Sequence, residues 1–330
     1  FMQDWKKFVF SDRSFAGKAK TVFEYQFQNN PIYRRFCEAL EVGPDTIINV
    51  EDIPLMPIKA FKEANMSCRP NENPDLIFKS SGTGDMQRST HRVKDAELYR
   101  QSVLKGFRQF YDLDRAVVLV YTPGYAENEH SSLIWMANEL IKTDKIKKSR
   151  FLPLNEPMSQ AEIDDIAASG RRLILFGAAF GLIDLVEKSS VTLPSNSFVI
   201  ETGGMKTHRR EMNRYEMHQK LGEGFGLDIS RIHSEYGMCE MLSQAYATGG
   251  QWFRSVPWMQ VSIQHPDNPQ SRASLFKEGR IGVIDLANVH SCSFLLTGDR
   301  GVKNEEGRFK VLGRWHPINL RGCNFLIDDD

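Results

Sequence analysis

Several features that mark common classes of protein are missing from this 330-residue sequence. Its 42 Lys and Arg residues are balanced by 42 Asp and Glu residues, whereas a protein that binds nucleic acid or an anionic membrane normally carries a basic excess. The longest apolar tract, 173–186, is interrupted by two glycines and an aspartate, and a membrane span needs about 20 apolar residues. The N-terminus has no basic-then-apolar signal pattern. We therefore expect a globular, cytoplasmic protein without a membrane span or a nucleic-acid partner.

Cysteine and histidine are also sparse, and their spacing fits no common metal site. The five cysteines are odd in number, widely separated and include no C-x-x-C pair, which argues against a disulfide framework and against a cysteine-built zinc site. The eight histidines include no H-E-x-x-H or similar pattern, so we expect no dedicated transition-metal site. Hydrophobic residues, at 41%, are frequent enough to build a sizeable core.

The hydrophobic patterns predict an α/β protein. Helical spacing is present in the aromatic and charged region 1–66, over 19–27 and 32–40. Apolar and β-branched runs then predict strands over 76–79, 116–121, 173–176, 198–201 and 229–233. Helical patterns lie among them, over 94–111, 131–141, 162–168, 182–188 and 210–221. Because strands alternate with helices, we expect a mostly parallel sheet that binds its ligands beyond the carboxyl ends of its strands.

After residue 250 the helical patterns stop. Short strands with glycine turns are predicted over 259–264, 282–286, 293–296 and 308–312. They indicate a small β subdomain at the end of the chain.

A loop of small residues, S-S-G-T-G-D at 80–85, follows the first predicted strand and precedes a predicted helix. Serine, threonine and glycine leave backbone N–H groups open, and such a loop can surround phosphate oxygens. It is not a Walker A loop, because G-x-x-x-x-G-K-[ST] is absent. On its residues alone it is either a phosphate-binding loop or an ordinary turn.

Two further motifs follow predicted strands. The paired glycines of E-T-G-G at 201–204 allow a flat ring to lie against the backbone, or form a tight turn. In Y-G-M-C-E at 236–240, the glutamate could hold Mg²⁺ beside a phosphate. Its alternative role is to cap a helix or face solvent.

The last motifs combine glycine with charge. T-G-D-R-G at 297–301 predicts a carboxylate in a tight loop, which could accept hydrogen bonds from ribose hydroxyls or be a simple β-turn. G-R at 313–314 offers a guanidinium to ribose or phosphate. R-G-C at 321–323 ends in a cysteine that is either a nucleophile or an inert thiol.

The order of these motifs is more specific than any one of them. In order and spacing the series resembles the adenylate-forming superfamily of acyl-CoA synthetases and ligases. Within it the chain is most similar to acyl-protein synthetases of the LuxE type, the fatty-acid-activating subunit of bacterial luminescence reductase systems. The resemblance covers about three quarters of the chain.

The resemblance implies the large domain of an adenylate-forming enzyme, with parallel sheets flanked by helices and a small β subdomain. That domain would occupy 1–312, with a helical N-terminal region (1–66), an α/β core (76–250) and a β-rich part (251–312). A hinge and short tail would occupy 313–330, and the superfamily's usual C-terminal domain, with its adenylation lysine, would be missing or vestigial.

The resemblance also implies residue roles. The ATP phosphates would be cradled by Ser81, Gly82, Thr83 and Gly84. The adenine would be flanked by Gly203 and Gly204 and stacked on Tyr236. Glu240 would hold Mg²⁺, with Gly237, Met238 and Cys239 lining the nucleotide site beside it. Asp299 would bind the ribose hydroxyls, assisted by Arg314.

The implied reaction has two steps. A fatty acid carboxylate attacks the α-phosphate of ATP and gives acyl-adenylate (acyl-AMP) and pyrophosphate, which requires Mg²⁺ and backbone N–H groups to offset charge repulsion. Cys323 then accepts the acyl group as a thioester and passes it to a partner protein such as an acyl reductase. His208 and His233 flank the glycine pair and the Y-G segment, and we expect them either to line the carboxylate pocket or to be structural.

Two departures from the family pattern keep other functions open. The usual loop reads S-G-T-T-G, whereas Asp85 follows S-G-T-G here, and Cys239 replaces the threonine of Y-G-x-T-E. A thiol is a weaker hydrogen-bond donor than a hydroxyl. The alternatives are an aryl- or acyl-CoA ligase of the phenylacetate type and a degenerate nucleotide-binding subunit.

Overall fold

The computed structural model describes residues 3–80, 88–124, 128–203 and 212–315. Its α-helices are α1 (Trp5–Val9), α2 (Phe15–Asn29), α3 (Pro31–Ala39), α4 (Ala60–Glu63), α5 (Ala96–Arg108), α6 (Ser132–Ile141), α7 (Gln160–Ala168), α8 (Ala179–Lys188) and α9 (Arg214–Phe225). Its strands are β1 (Met56–Pro57), β2 (Leu76–Lys79), β3 (Thr90–Val93), β4 (Ala116–Tyr121), β5 (Arg150–Phe151), β6 (Arg172–Ala178), β7 (Phe198–Thr202), β8 (Ile232–Tyr236), β9 (Ala245–Ala247), β10 (Arg254–Ser255), β11 (Met259–Gln264), β12 (Gly279–Asp285), β13 (Phe294–Lys303) and β14 (Phe309–Arg314). None of the helices in these ranges is long and apolar enough to cross a membrane.

The larger sheet has seven strands in the order β10-β9-β8-β7-β6-β4-β5. The five strands from β8 to β5 are parallel, and β9 and β10 continue the sheet antiparallel. All six residues of β4 are buried, as expected for a strand covered on both faces. Its alternate residues pack in two separate clusters, one with α5 and α6 and the other with α7, α8 and α9.

The second sheet is built from the C-terminal part of the chain. Its order is β1-β13-β12-β11, and β14 pairs with β13. The β11–β14 pairings are antiparallel, whereas β1 from the N-terminal region lies parallel to β13. The α2 and α3 helices cover this sheet, with the ring of Tyr33 stacked on that of Phe294 at 5.7 Å. This is the predicted β subdomain, joined to the N-terminal helices by a shared core.

Local signals in the sequence explain where the helices around the site begin and end. The Asp95 carboxylate accepts the Leu98 N–H at 2.8 Å and caps α5. Asn213 and Glu216 form a reciprocal capping box at the start of α9. That helix ends at Gly226, whose φ of +68° favours glycine.

Most predicted elements are confirmed, and two interpretations are wrong. Between the S-G-T-G-D loop and the predicted helix lies β3, a strand that the sequence analysis did not predict, and it pairs antiparallel with β2. The strand predicted from 229 starts at Ile232, since Asp228 caps a 3-10 turn over Ile229–Arg231. The T-G-D-R-G motif is not a tight loop or a β-turn, because it lies within β13.

The glycines of T-G-D-R-G serve strand pairing rather than a turn. A Cβ on Gly301 would meet the Lys310 carbonyl oxygen of β14 at 2.6 Å. The pairing of β13 with β14 changes register at Arg300 and Gly301. The glycine therefore marks a β-bulge, an irregularity that sequence alone does not distinguish from a turn.

Gln26 joins α2 to the connection between β12 and β13, and we expect its replacement to lower the free energy of unfolding. Its amide nitrogen donates to the Asn288 and Val289 carbonyls at 3.1 and 2.8 Å, and its oxygen accepts the Ser293 N–H at 3.0 Å. Gln26→Ala leaves these buried groups unpaired, so we expect a loss of about 3 kcal/mol in the free energy of unfolding. Urea denaturation measures it. The exposed Asn29→Ala on the same helix should lose less than about 0.5 kcal/mol, and equal losses in the two variants would contradict this role.

Candidate active site

The carboxyl ends of β7 and β8 lie side by side. Thr202, the last residue of β7, pairs with Glu235 of β8, and Gly203 follows with a φ of +84°, a backbone conformation that favours glycine. Parallel strands therefore bring the E-T-G-G and Y-G-M-C-E motifs to one edge of the sheet, as predicted.

Three of the predicted site residues are in direct contact at this edge. The Tyr236 hydroxyl donates to Asp299 Oδ2 at 2.9 Å, and Arg314 Nη1 lies 3.1 Å from Asp299 Oδ1. The β13–β14 pairing sets Asp299 opposite Arg314, and β8 of the other sheet supplies Tyr236. Asp299 is 6% exposed, so its carboxylate lies almost buried between a phenol and a guanidinium.

The ring of Tyr236 is largely covered. It packs against the rings of Phe309 and Phe253, at 5.5 and 6.0 Å. Burial, reinforced by the adjacent Asp299 carboxylate, holds the pKa of the Tyr236 hydroxyl well above its usual value. The hydroxyl therefore remains a donor to Asp299, and stacking of its ring on adenine stays a prediction.

Glu240 lies at the base of the S-G-T-G-D loop. The Ser89 hydroxyl hydrogen-bonds to its carboxylate, and Arg314 and Lys62 are the cations that act on it. Ser80 N–H donates to the Ser89 carbonyl at 3.1 Å, and Ser89 N–H donates to Ser80 Oγ at 3.0 Å. The chain thus enters and leaves the loop beside Glu240.

The surroundings of Glu240 contradict one of its two predicted roles. Glu240 is 6% exposed, and no helix begins at this position, so the alternative in which it caps a helix or faces solvent is wrong. Burial raises the pKa of its carboxyl group. A buried carboxylate beside a phosphate-type loop fits Mg²⁺, which prefers one or two carboxylates together with water and phosphate oxygens. No cluster of three or more His, Cys, Asp or Glu residues suited to a metal ion occurs in the described ranges, so Glu240 would share the ion with ligand oxygens.

Cys239 is partly buried, and its surroundings disfavour the thiolate. Burial and the neighbouring Glu240 carboxylate hold the pKa of its thiol well above the usual value. Its carbonyl oxygen lies 2.8 Å from Nδ1 of His91. Gly237 and Met238 follow in the same segment, and a Cβ on Gly237 would meet Glu235 Oε1 at 2.5 Å, so a larger residue there would have to displace the Glu235 carboxyl group.

Both ring nitrogens of His233 have hydrogen-bond partners among the described residues, which favours the structural one of its two predicted roles. The Tyr111 hydroxyl donates to Nδ1 at 3.0 Å, and Nε2 donates to the Ser230 carbonyl at 3.2 Å. Burial lowers the pKa of His233 to about 4. A neutral histidine with both nitrogens bonded is structural, the alternative that the sequence left open.

Two groups of buried polar residues near this edge have no motif in the sequence. The first surrounds Glu201, whose carboxylate accepts from Ser234 Oγ and lies 3.3 and 3.4 Å from Arg214 Nε and His218 Nε2. The second anchors the segment that carries Glu240, and its members are His91, Asp285 and Asn288. Single buried polar residues give no spacing signal, so only the fold reveals them.

Several predicted site residues lie outside the described ranges. They are Ser81, Gly82, Thr83, Gly84, Gly204, His208 and Cys323. Asp85, one of the departures from the family pattern, lies outside them as well.

The sequence profile of the acyl-protein synthetase family, LuxE, matches residues 13–330. A long-chain-fatty-acid–luciferin-component ligase from Vibrio harveyi is 24% identical over 323 residues, which cover 92% of this chain and 84% of that protein. These matches agree with the order of motifs along the sequence.

Solved structures show the same fold. A 2-hydroxyisobutyryl-CoA ligase in complex with 2-HIB-AMP and CoA aligns with a TM-score of 0.66 and 13% identity, over 91% of this chain and 69% of that chain. ATP-bound MatB from Rhodopseudomonas palustris aligns with a TM-score of 0.53 and 15% identity, over 74% of this chain and 49% of that chain. At these identities the likeness establishes the fold alone, and it confirms the predicted fold class of adenylate-forming ligases.

Glu235 gives the protein a predictable pH dependence. Burial raises the pKa of its carboxyl group from about 4.5 to about 7, with Thr202 Oγ donating to it. The folded protein holds this proton up to about pH 7, whereas the unfolded chain releases it near pH 4.5, so Glu235 lowers stability as the pH rises between these values. Glu235→Gln removes this loss, and we expect the variant to gain about 3 kcal/mol relative to wild type from pH 4.5 to pH 8.

Urea denaturation across this pH range measures the difference. The exposed Glu156→Gln should keep the wild-type profile. A constant difference between wild type and Glu235→Gln at all pH values would show that Glu235 ionises normally.

Proposed function

Because the chain belongs to the LuxE acyl-protein synthetase family, we propose that it activates a long-chain fatty acid with ATP and transfers the acyl group through Cys323 to a partner protein. Membership of this family makes the chain a ligase. The name of the Vibrio harveyi relative supports a long-chain fatty acid as the substrate. The proposed use of ATP as a substrate supports a cytoplasmic location, since the cytoplasm supplies that nucleotide.

One observation carries the assignment of the site. Tyr236 comes from the seven-stranded sheet and Asp299 from the C-terminal sheet, yet the Tyr236 hydroxyl donates to Asp299. Arg314 pairs with Asp299 within the C-terminal sheet, and its charge also acts on the Glu240 carboxylate. Asp299 offers acceptor oxygens for ribose hydroxyls, and Arg314 offers charged donors for ribose or phosphate. Glu240 lies beside the S-G-T-G-D loop, where the triphosphate would bind.

In the first step an oxygen of the fatty acid carboxylate forms a bond to the α-phosphorus. The bond from this phosphorus to the oxygen bridging to the β-phosphate breaks, and the electron pair leaves with pyrophosphate. Mg²⁺, when bound at Glu240, would reduce the repulsion between the carboxylate and the triphosphate. The residues of this chain act by position: Asp299 and Arg314 hold the ribose, and Tyr236 fixes Asp299.

In the second step a thiolate attacks the carbonyl carbon of the acyl-adenylate. A C–S bond forms, the C–O bond to AMP breaks, and the thiol proton passes to solvent when the thiolate forms. We assign this role to Cys323, in the segment 313–330 for which we propose a hinge and tail. Cys239 is unsuited, since the raised pKa of its thiol leaves little thiolate at neutral pH.

Asp299→Asn tests the nucleotide site. The variant keeps the shape of the side chain but loses its charge, and charge-assisted hydrogen bonds contribute about 1.5–3 kcal/mol. We therefore expect the KM for ATP to rise about 10- to 100-fold in an ATP–pyrophosphate exchange assay. The exposed Asp267→Asn, on a loop of the same subdomain, serves as the control and should leave KM unchanged. An unaltered KM in Asp299→Asn would remove Asp299 from the ATP site.

Cys323→Ser tests the transfer step. After incubation with Mg-ATP and a panel of short, medium, long and aromatic acids, intact-protein mass should show one hydroxylamine-sensitive acyl group on wild type. We expect the variant to lose this adduct while it still exchanges pyrophosphate, because adenylation does not require the thiol. Cys239→Ser should keep the adduct.

Two other results of the same experiment have clear meanings. A thioester retained in Cys323→Ser would place the nucleophile at another cysteine. AMP release that requires CoA, without any protein adduct, would identify a CoA ligase instead.

A further inference from the structure

The segment 238–243, which carries Glu240, is held by side chains from other parts of the fold. It joins β8 to β9, and in it the Cys239 carbonyl lies 2.8 Å from His91 Nδ1. The Glu240 carbonyl accepts from Asn288 Nδ2 at 2.8 Å. On the far side, Asp285 accepts the N–H groups of Leu242 and Ser243. The position of the Glu240 carboxylate therefore depends on residues distant from it in sequence.

His91 is the member of this set that lies nearest in sequence to Ser89, a hydrogen-bond partner of Glu240. It lies on β3, two residues after Ser89, whose hydroxyl bonds to the Glu240 carboxylate. The His91 ring is fully buried, with its edge against the ring of Phe61 at 5.4 Å. The start of β3 and the residue before it thus contact the Glu240 carboxylate through the Ser89 hydroxyl and the neighbouring main chain through the His91 imidazole.

The hydrogen bonds of Asn288 determine what the second nitrogen of His91 faces. Asn288 Nδ2 donates to the Glu240 and Cys292 carbonyls, so its Oδ1 is the atom presented to His91 Nε2 at 3.0 Å. Both ring nitrogens therefore face acceptors, Asn288 Oδ1 and the Cys239 carbonyl. Burial lowers the pKa of His91 to about 4, and a neutral ring donates to one acceptor at a time. An apolar side chain would satisfy neither.

We propose that His91 is a positioning residue for adenylation, which fixes the Glu240 carboxylate at the base of the S-G-T-G-D loop by clamping the Cys239 carbonyl and Asn288. It acts through Glu240 and does not itself touch substrate. The inference rests on the proposed function for its effect on ATP, whereas its effect on segment 238–243 is a property of the protein alone.

His91→Leu and His91→Gln test this inference, with His233→Leu as the matched control. His233 is also buried and bonded through both nitrogens, but its partners are Tyr111 and Ser230. Leucine at 91 cannot donate, so we expect amide hydrogen exchange over 238–243 to accelerate at least about tenfold. We expect the KM for Mg-ATP to rise about tenfold or more, with a smaller change in kcat.

The conservative variant His91→Gln and the control His233→Leu separate a positioning role of His91 from a general loss of stability. Glutamine can donate to the Cys239 carbonyl, so His91→Gln should recover most of the affinity for Mg-ATP. His233→Leu should lower the melting temperature while the KM for Mg-ATP stays within about twofold of wild type.

Unchanged exchange over 238–243 in His91→Leu would overturn the proposal. So would a KM for Mg-ATP in His91→Leu that matches the His233→Leu control. If wild type catalyses no pyrophosphate exchange with any acid, the proposed function fails, and hydrogen exchange alone then decides whether His91 holds the segment.

Discussion

The site depends on the junction between the two sheets, and Asp285 is the centre of that junction. Its carboxylate, at the end of β12, accepts hydrogen bonds from Leu242 N–H, Ser243 N–H, Ser243 Oγ and Ala287 N–H. Three of these four donors belong to the chain that follows Glu240. Because Glu240 comes from one sheet and Asp299 from the other, this contact helps to fix their relative position, together with the hydrogen bonds of Tyr236 to Asp299 and of Asn288 to the Glu240 carbonyl. A fully buried carboxylate that accepts four bonds resists displacement, since moving it would leave several buried groups unpaired.

Much of the fold could be predicted from the sequence, because its strands are short apolar runs in a regular alternation with helices. The predicted bounds of β2, β4 and β11 agree with the structure. The β-bulge at Gly301 was mistaken for a turn, since a glycine that permits close strand pairing has the same local signature as one that reverses the chain. The contact between Tyr236 and Asp299, 63 residues apart, followed only from the order of motifs, because spacing alone cannot bring two sheets together. The roles of His91 and Asn288 could not be predicted from the sequence, because a single buried polar residue forms no periodic pattern or motif.

Two buried carboxyl groups, those of Glu201 and Glu235, lie at the carboxyl ends of β7 and β8, and their pKa values shift in opposite directions. Hydrogen bonds and charge from His218, Arg214 and Ser234 outweigh burial at Glu201 and lower the pKa of its carboxyl group. At Glu235 the effect of burial outweighs that of the hydrogen bond donated by Thr202, so the pKa of its carboxyl group is raised. The ionised carboxylate thus lies among charged partners, and the neighbouring one keeps its proton near neutral pH. Such a division limits the negative charge at the edge where we propose that the triphosphate binds.

The replacement of threonine by Cys239 introduces a thiol next to the proposed metal-binding carboxylate, close to where an acyl-adenylate would form. A reactive thiol there would compete with Cys323 for the acyl group. Burial first, and the neighbouring Glu240 carboxylate second, raise the pKa of the Cys239 thiol, which disfavours the thiolate that would act as a nucleophile. This property of Cys239 supports the proposal that Cys323 is the cysteine that accepts the acyl group.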